Sequence, residues 1–278
     1  MSLNEYTRRR FFEISYILGM VPVVYFALKP LSSFGRTITE RSALLNNLLN
    51  VDVSDLERIK KLLENKKAII WVFTGDSITA GVEHTNGSRS YPEIFEERIR
   101  WEMGRSRDIV INTGISGNTS QNIIDDFDWR IEQFKPAIVS LMIGTNDCSK
   151  KDINMHVFER NLNILLVKIR SLGAIPILQT PNAIITKNSP ERAALFKYVG
   201  IIQNLAKKKK TILVDNYTYW KYTLKNHPEI NVFKEWLNDP LHPNGAGHKE
   251  IARLMFKELS IFNSNDATCG GEHYEGKH

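Results

Sequence analysis

The sequence predicts an α/β protein, a three-layer α/β/α sandwich built on a five-stranded parallel sheet. Three observations lead there. From Ala68 onward, five short apolar runs alternate with longer amphipathic stretches. Strands separated by helices call for crossover connections, which put neighbouring strands parallel and helices on both faces. A chain of 278 residues with 42% hydrophobic residues is also long enough to bury one sizeable core.

The elements follow in chain order. Residues 1–30 read as a signal-like or membrane-anchor segment, because Arg8, Arg9 and Arg10 precede an apolar run broken by Glu13, Gly19 and Pro22. Thr7 to Phe12, "TRRRFF", are similar to the twin-arginine export motif. The run falls short of the roughly 20 apolar residues of a confident span. No A-x-A cleavage site follows in "FALKPLSSFG". The expectation is export to the periplasm or the exterior with possible membrane association through this segment, against the alternative of a cytoplasmic protein with a packed amphipathic helix. Residues 31–67 read as a helical lead-in, with Ser54 and Glu57 spaced as a capping box.

The main domain is expected over 68–262. Its strands are "AIIWVF", "DIVINTG", "AIVSLMIG", "AIPILQT" and "TILVDNY". Its helices include "SYPEIFEERIRWEM", "MHVFERNLNILLVKIRSLG", "ERAALFKYVGIIQNLAKKKK" and the closing "GAGHKEIARLMFKELSIF". Residues 263–278, "NSNDATCGGEHYEGKH", read as a disordered polar tail.

Charge and cysteine content exclude several functions. The net charge of +6 gathers at Arg8–Arg10 and at Lys207–Lys210. The second block is a natural helix terminus, where cations meet the negative end of the dipole. Two local blocks do not make a basic stripe, so no nucleic-acid partner is expected. Cys148 and Cys269 support neither a disulfide framework nor a metal-type Cys/His spacing. No metal and no cofactor are expected.

In open parallel sheets, function collects outside the carboxyl ends of the strands. The first strand delivers Gly75, Asp76 and Ser77. The second delivers Gly114, Gly117 and Asn118, and the third Gly144, Asn146 and Asp147. After the fifth comes "LNDPLHPNGAGH", with Asp239 and His242. A serine hydroxyl attacks only when a base takes its proton, and a histidine does so near neutral pH. Asp239, three residues before His242, can hold the far nitrogen of that imidazole by a local turn. An oxyanion hole would need donors, which the amides of Ser77 and Gly117 and the side chain of Asn146 can supply.

These four blocks resemble the SGNH-hydrolase superfamily, the GDSL esterases and lipases. "GDSIT" matches its first block, "GISGNTS" the second, "GTND" the third and "DPLHPN" the last, over about Ile70 to Phe262. Ile78 stands where the family name has leucine. The resemblance implies a flavodoxin-like sheet, a metal-free serine mechanism and hydrolysis of acyl esters. It carries the family's serine, glycine, asparagine and histidine onto Ser77, Gly117, Asn146 and His242, and its acid onto Asp239. The expected function is a serine-dependent carboxylic-ester hydrolase removing small acyl groups, acetyl first, from a sugar or polysaccharide. An O-acyltransferase and a catalytically silent carbohydrate-binding protein are the alternatives.

Other polar residues receive structural roles. His84 and Arg89 follow the nucleophile block closely but read as a solvated loop. Asp76 and Asp147 read as turn braces, His248 as a local hydrogen-bonding group at a helix start and Cys148 as a packed small residue. The aromatic stretch from Tyr217 to Trp236 could form a sugar-stacking wall, yet Trp220 and Leu224 share a helical face and read as core.

Overall fold

The computed structural model describes residues 54–272. The signal-like segment over 1–30 and the first part of the lead-in lie outside the described residues.

The five apolar runs form five parallel strands: β1 (Ile70–Gly75), β2 (Ile109–Asn112), β3 (Ile138–Met142), β4 (Ile175–Thr180) and β5 (Ile212–Asp215). They lie side by side in the order β2-β1-β3-β4-β5. β3 and β4 are buried along their whole length, as is β1 beyond Ile70, whereas the edge strands β2 and β5 are half covered. That is why the central runs are continuously apolar and do not alternate.

Side-chain alternation along each strand splits the core into two layers. Trp71 and Phe73 of β1, with Ile175 and Ile177 of β4, pack on one face. They meet α1 (Asp55–Glu64), α2 (Tyr91–Glu97, continued by a wide turn over Arg98–Glu102) and the final helix. Val72, Val139, Leu141 and Leu178 face the other way. There they meet α3 (Ser120–Asp125), α4 (Met155–Ser171) and α5 (Leu195–Lys209). After β5 come α6 (Asn216–Asn226), α7 (Val232–Trp236) and α8 (Gly245–Glu258).

Local signals set the helix starts. Ser54 Oγ accepts the amide of Glu57 at 3.2 Å, but the Glu57 carboxylate pairs outward with Lys60, so this capping box closes only halfway. Ser90 and Glu93 close theirs fully at the head of α2. The lysine run ends α5, and Lys210 turns the chain with a φ of 50°. Within the aromatic stretch Trp220 is core, fully buried and meeting Trp236 edge-on with ring centroids 5.2 Å apart, whereas Tyr222 is exposed. Among the described residues, no helix is long and apolar enough to cross a membrane.

One expectation needs correction. Residues 263–272 are not a loose tail but fold back onto α2 and its extension. Buried Arg98 donates from Nε and Nη2 to the carbonyl of Ile261 at 2.9 and 2.6 Å and pairs with Glu102 and Asp266. Glu102 in turn accepts the amide of Thr268 at 2.9 Å. A polar segment is held here by buried ionic groups, not by apolar side chains, so composition alone reads it as unfolded.

Candidate active site

In a sheet of this order the connections reverse direction between β1 and β3, which opens a crevice at their carboxyl ends. The first and third sequence blocks leave the sheet there. Beyond Gly75, Asp76 caps a single helical turn, Ser77–Ala80, its Oδ1 accepting the amide of Ile78 at 3.0 Å. Burial lifts the Asp76 carboxyl to about 7, with the nearby Asp147 adding to the rise against the Ile78 bond. Ser77 opens this turn, at the positive end of its peptide dipoles.

Ser77 Oγ lies 2.9 Å from His242 Nε2, and His242 Nδ1 lies 2.8 Å from Asp239 Oδ2. The second oxygen of Asp239 accepts the amides of Leu241 and His242 at 2.8 and 2.9 Å. The whole loop is pinned where Leu237 bridges Pro243. Burial raises the proton affinity of Asp239, but the two amides and the imidazole outweigh it and hold the carboxyl below its ordinary range. It therefore stays ionised and fixes the Nδ1–H tautomer of His242, leaving Nε2 bare toward Ser77. Burial also lowers the proton affinity of His242; Asp239 opposes this, His84 and Arg192 reinforce it, and the net shift is downward. The arrangement can pass a proton from a hydroxyl to an imidazole.

The second and third blocks meet beside Ser77. The amide of Ile115 donates to the Gly75 carbonyl at 3.2 Å, which ties the second block to the first. Asn146 Nδ2 donates to the Asn118 carbonyl at 3.0 Å, which ties the second to the third. Gly117 has a φ of 78°, a left-handed conformation that favours glycine. Among the described residues, neither the Ser77 nor the Gly117 amide has an acceptor within the protein. Fully buried Arg130 holds this loop from behind, donating to the Thr113 carbonyl at 2.8 Å and bonding Asn118 Oδ1.

His84 and His248 differ from their sequence assignments, Arg192 carried none, and Arg89, Asp147 and Cys148 keep theirs. His84 is not a solvated loop residue: its ring stacks on that of His242, with centroids 3.5 Å apart and planes within 1°. Arg192, which no motif marked, donates from Nε to the Thr145 carbonyl at 3.1 Å and from Nη2 to Asn146 Oδ1 at 3.2 Å. His248 is buried and accepts the amide of distant Tyr91, and burial pushes its imidazole down to about 3. Arg89 pairs with Glu97. Asp147 accepts both the amide and the hydroxyl of Ser120, bracing the third block on α3. Cys148 packs with Ile184, Leu195 and Val199, and burial pushes its thiol up to about 12, far from thiolate chemistry. One trio among the described residues, His84, Asp239 and His242, brings potential metal-ligand atoms within 4.8 Å of one another. His242 Nδ1 already hydrogen-bonds Asp239 Oδ2, and His84 Nδ1 lies 3.2 Å from the same oxygen.

Comparison with known proteins places the chain in a family. Residues 73–250 match the model of the GDSL-like lipase/acylhydrolase family. An acetylxylan esterase of Geobacillus stearothermophilus is 27% identical over 209 residues, covering 68% of this chain and 93% of the relative. The thioesterase 1/protease 1/lysophospholipase L1 of Escherichia coli strain K12 is 24% identical, over 69% of this chain and 84% of its own. A Bacillus subtilis relative described as an uncharacterized lipoprotein is 27% identical over 54% of this chain and 72% of its own. Among solved structures, an alpha/beta hydrolase enzyme from the metagenome of Lake Arreo superposes with a TM-score of 0.60 at 23% identity. It covers 72% of this chain and 99% of that one. A variant of an acetyl xylan esterase from Geobacillus stearothermophilus does so with a TM-score of 0.60 at 25% identity, over 71% and 98%. With the matched region spanning all four blocks, from the first strand to the final helix, the chain belongs to the GDSL-like lipase/acylhydrolase family and is a carboxylic ester hydrolase.

Proposed function

We propose that the enzyme is a serine esterase working through an acyl-enzyme and removing small acyl groups, acetyl foremost, from a sugar or polysaccharide. One observation carries the mechanism: the unbroken chain from Ser77 Oγ to His242 Nε2 at 2.9 Å and from His242 Nδ1 to Asp239 Oδ2 at 2.8 Å. Ser77 Oγ attacks the ester carbonyl while its proton passes to Nε2. The oxyanion is met by the Ser77 and Gly117 amides and Asn146 Nδ2. As the carbon–oxygen bond to the alcohol breaks, His242 returns the proton to the leaving oxygen. Water then gives its proton to His242 and attacks the acyl-enzyme, releasing the acid and restoring Ser77. Asp239 holds the imidazole throughout and takes no proton.

The substrate class rests on the acetylxylan esterase among the relatives. The experiment measures nitrophenol release from acetyl to decanoyl nitrophenyl esters, and acetate release from acetylated xylo-oligosaccharide. Rates should fall with acyl length. Rates rising steadily toward decanoyl would overturn the short-chain reading, and acyl transfer to added glycerol in preference to water would make the enzyme a transferase. A fluorophosphonate should label the native protein at Ser77 and leave Ser77→Ala unlabelled; full activity in Ser77→Ala would refute the serine mechanism. Export is proposed from Arg8 and Arg9 and from the lipoprotein relative. Replacing both arginines by lysine should retain the enzyme inside the cell, and unchanged fractionation would remove this reading.

A further inference from the structure

His84 Nδ1 lies 3.2 Å from Asp239 Oδ2, the same oxygen that His242 Nδ1 approaches at 2.8 Å. Two imidazoles thus converge on one carboxylate oxygen, and their rings lie face to face at 3.5 Å. We propose that His84 is a positioning residue of the triad. It gives the His242 ring a flat wall and covers the Asp239 oxygen that holds that ring. This rests on the reading of Ser77, Asp239 and His242 as the catalytic set.

The chain puts His84 there by a built turn. Gly81 takes a φ of 81° directly after the nucleophile turn, and a Cβ at that position would come within 2.5 Å of Ser90 Cβ. The His84 amide donates to the Gly81 carbonyl at 3.2 Å, and Thr85 Oγ1 donates to the Val82 carbonyl at 3.1 Å. Asn86, left-handed with a φ of 50°, then donates from Nδ2 to Asn238 Oδ1 at 2.8 Å. The turn is therefore fastened to the nucleophile at one end and to the loop of the triad acid at the other.

That placement has a mechanical meaning. The Asp239 side chain is 34% exposed, so without the His84 ring against it Oδ2 would trade its bond to His242 for water. Each such exchange weakens the hold on the His242 tautomer. Stacking against His84 limits rotation of the His242 ring, which must swing only slightly between the Ser77 oxygen and the leaving alcohol. His84 acts through Asp239 and His242 and touches no reacting atom.

Two variants test this. His84→Phe keeps a flat ring against His242 and Asp239, and His84→Ala removes it. kcat should stay within about twofold of native in His84→Phe and fall by about tenfold in His84→Ala, with KM nearly unchanged. In an Asp239→Asn background, His84→Ala should cost less than about twofold, because no carboxylate then holds the ring that the wall steadies. In Ser77→Ala protein, the downfield Nδ1–H proton resonance of His242 should shift and broaden when His84 becomes Ala. Wild-type kcat in His84→Ala overturns the inference, as does a loss in His84→Phe equal to that in His84→Ala, an equal loss in the Asp239→Asn background or an unmoved resonance. Full activity in Ser77→Ala or in Asp239→Asn would instead refute the triad itself, so the two failures are distinct.

Discussion

The guanidinium of Arg192 bonds the Oδ1 end of the Asn146 amide, and so leaves the Nδ2 end to face Asn118 and the crevice above Ser77. An asparagine free to flip would present a lone pair to a developing oxyanion half of the time. Arg192, on a short turn over Pro190–Arg192 between β4 and α5, removes that ambiguity and adds a positive charge. Losing one oxyanion donor costs about 2.7–4 kcal/mol, so Asn146→Ala should lower kcat roughly a hundred- to a thousandfold. Arg192→Ala should lower kcat less, and should add little to Asn146→Ala, since most of its effect passes through that amide. Steady-state kinetics of the four proteins of this cycle decide; full additivity would mean that Arg192 acts on its own.

The pH profile should be shifted toward acid. His242 must be neutral to take the Ser77 proton, and its burial, backed by Arg192 and His84, holds its proton affinity below that of an ordinary histidine. The acid midpoint of kcat/KM should therefore lie below about pH 6.5, the ordinary histidine value. Removing the Arg192 charge should move the acid limb upward. A midpoint above 6.5 in the native enzyme would contradict this assignment.

Asp76 predicts a pH-dependent stability. Its folded carboxyl is raised to about 7, above its unfolded value near 3.8, so the folded state holds this proton more tightly. That contribution is full below the unfolded value and is lost as pH rises through about 7; the shift corresponds to a few kcal/mol at most. Asp76→Asn keeps an oxygen for the Ile78 amide and carries no charge. Its melting temperature should fall less between pH 6 and pH 9 than that of the native protein, as followed by circular dichroism.

Arg98 should hold the C-terminal segment. Arg98→Ala strips the Ile261 carbonyl of its donors and leaves the fully buried Glu102 side chain without its cation. Breaking a buried pair from one side costs about 3–5 kcal/mol. Limited proteolysis should cut within 263–272 in the variant and spare the native protein there. Equal resistance in both would show that Arg98 does not carry the segment.

Much of this molecule is legible in its sequence, and what is not has a common cause. Strands such as "AIVSLMIG" are continuously apolar because both faces of the sheet are covered, and Ser77, Asn146, Asp239 and His242 sit in loops with recognisable turn chemistry. His84 left no such mark, because its meaning comes from Asp239 on the far side of the chain and from a glycine turn that aims it. Arg192 reads as an ordinary surface charge until Asn146 is seen beside it. Arg98 and Glu102 look like the polar face of a helix, and only the returning residues 263–272 make them interior. Local periodicity reports burial against regular elements and is silent on polar groups buried by loops.

The two links of the proposed triad differ in how they come to exist. Asp239 and His242 are three residues apart, so their contact closes a very short loop and can form in an otherwise unstructured segment at small entropic cost. Ser77 and His242 are 165 residues apart, and their contact waits for the sheet and both helical layers to assemble. During refolding, regain of esterase activity should therefore trail every spectroscopic sign of structure, because turnover reports the last long-range closure of the chain. A folding intermediate would own its acid–base pair and lack only the atom that attacks.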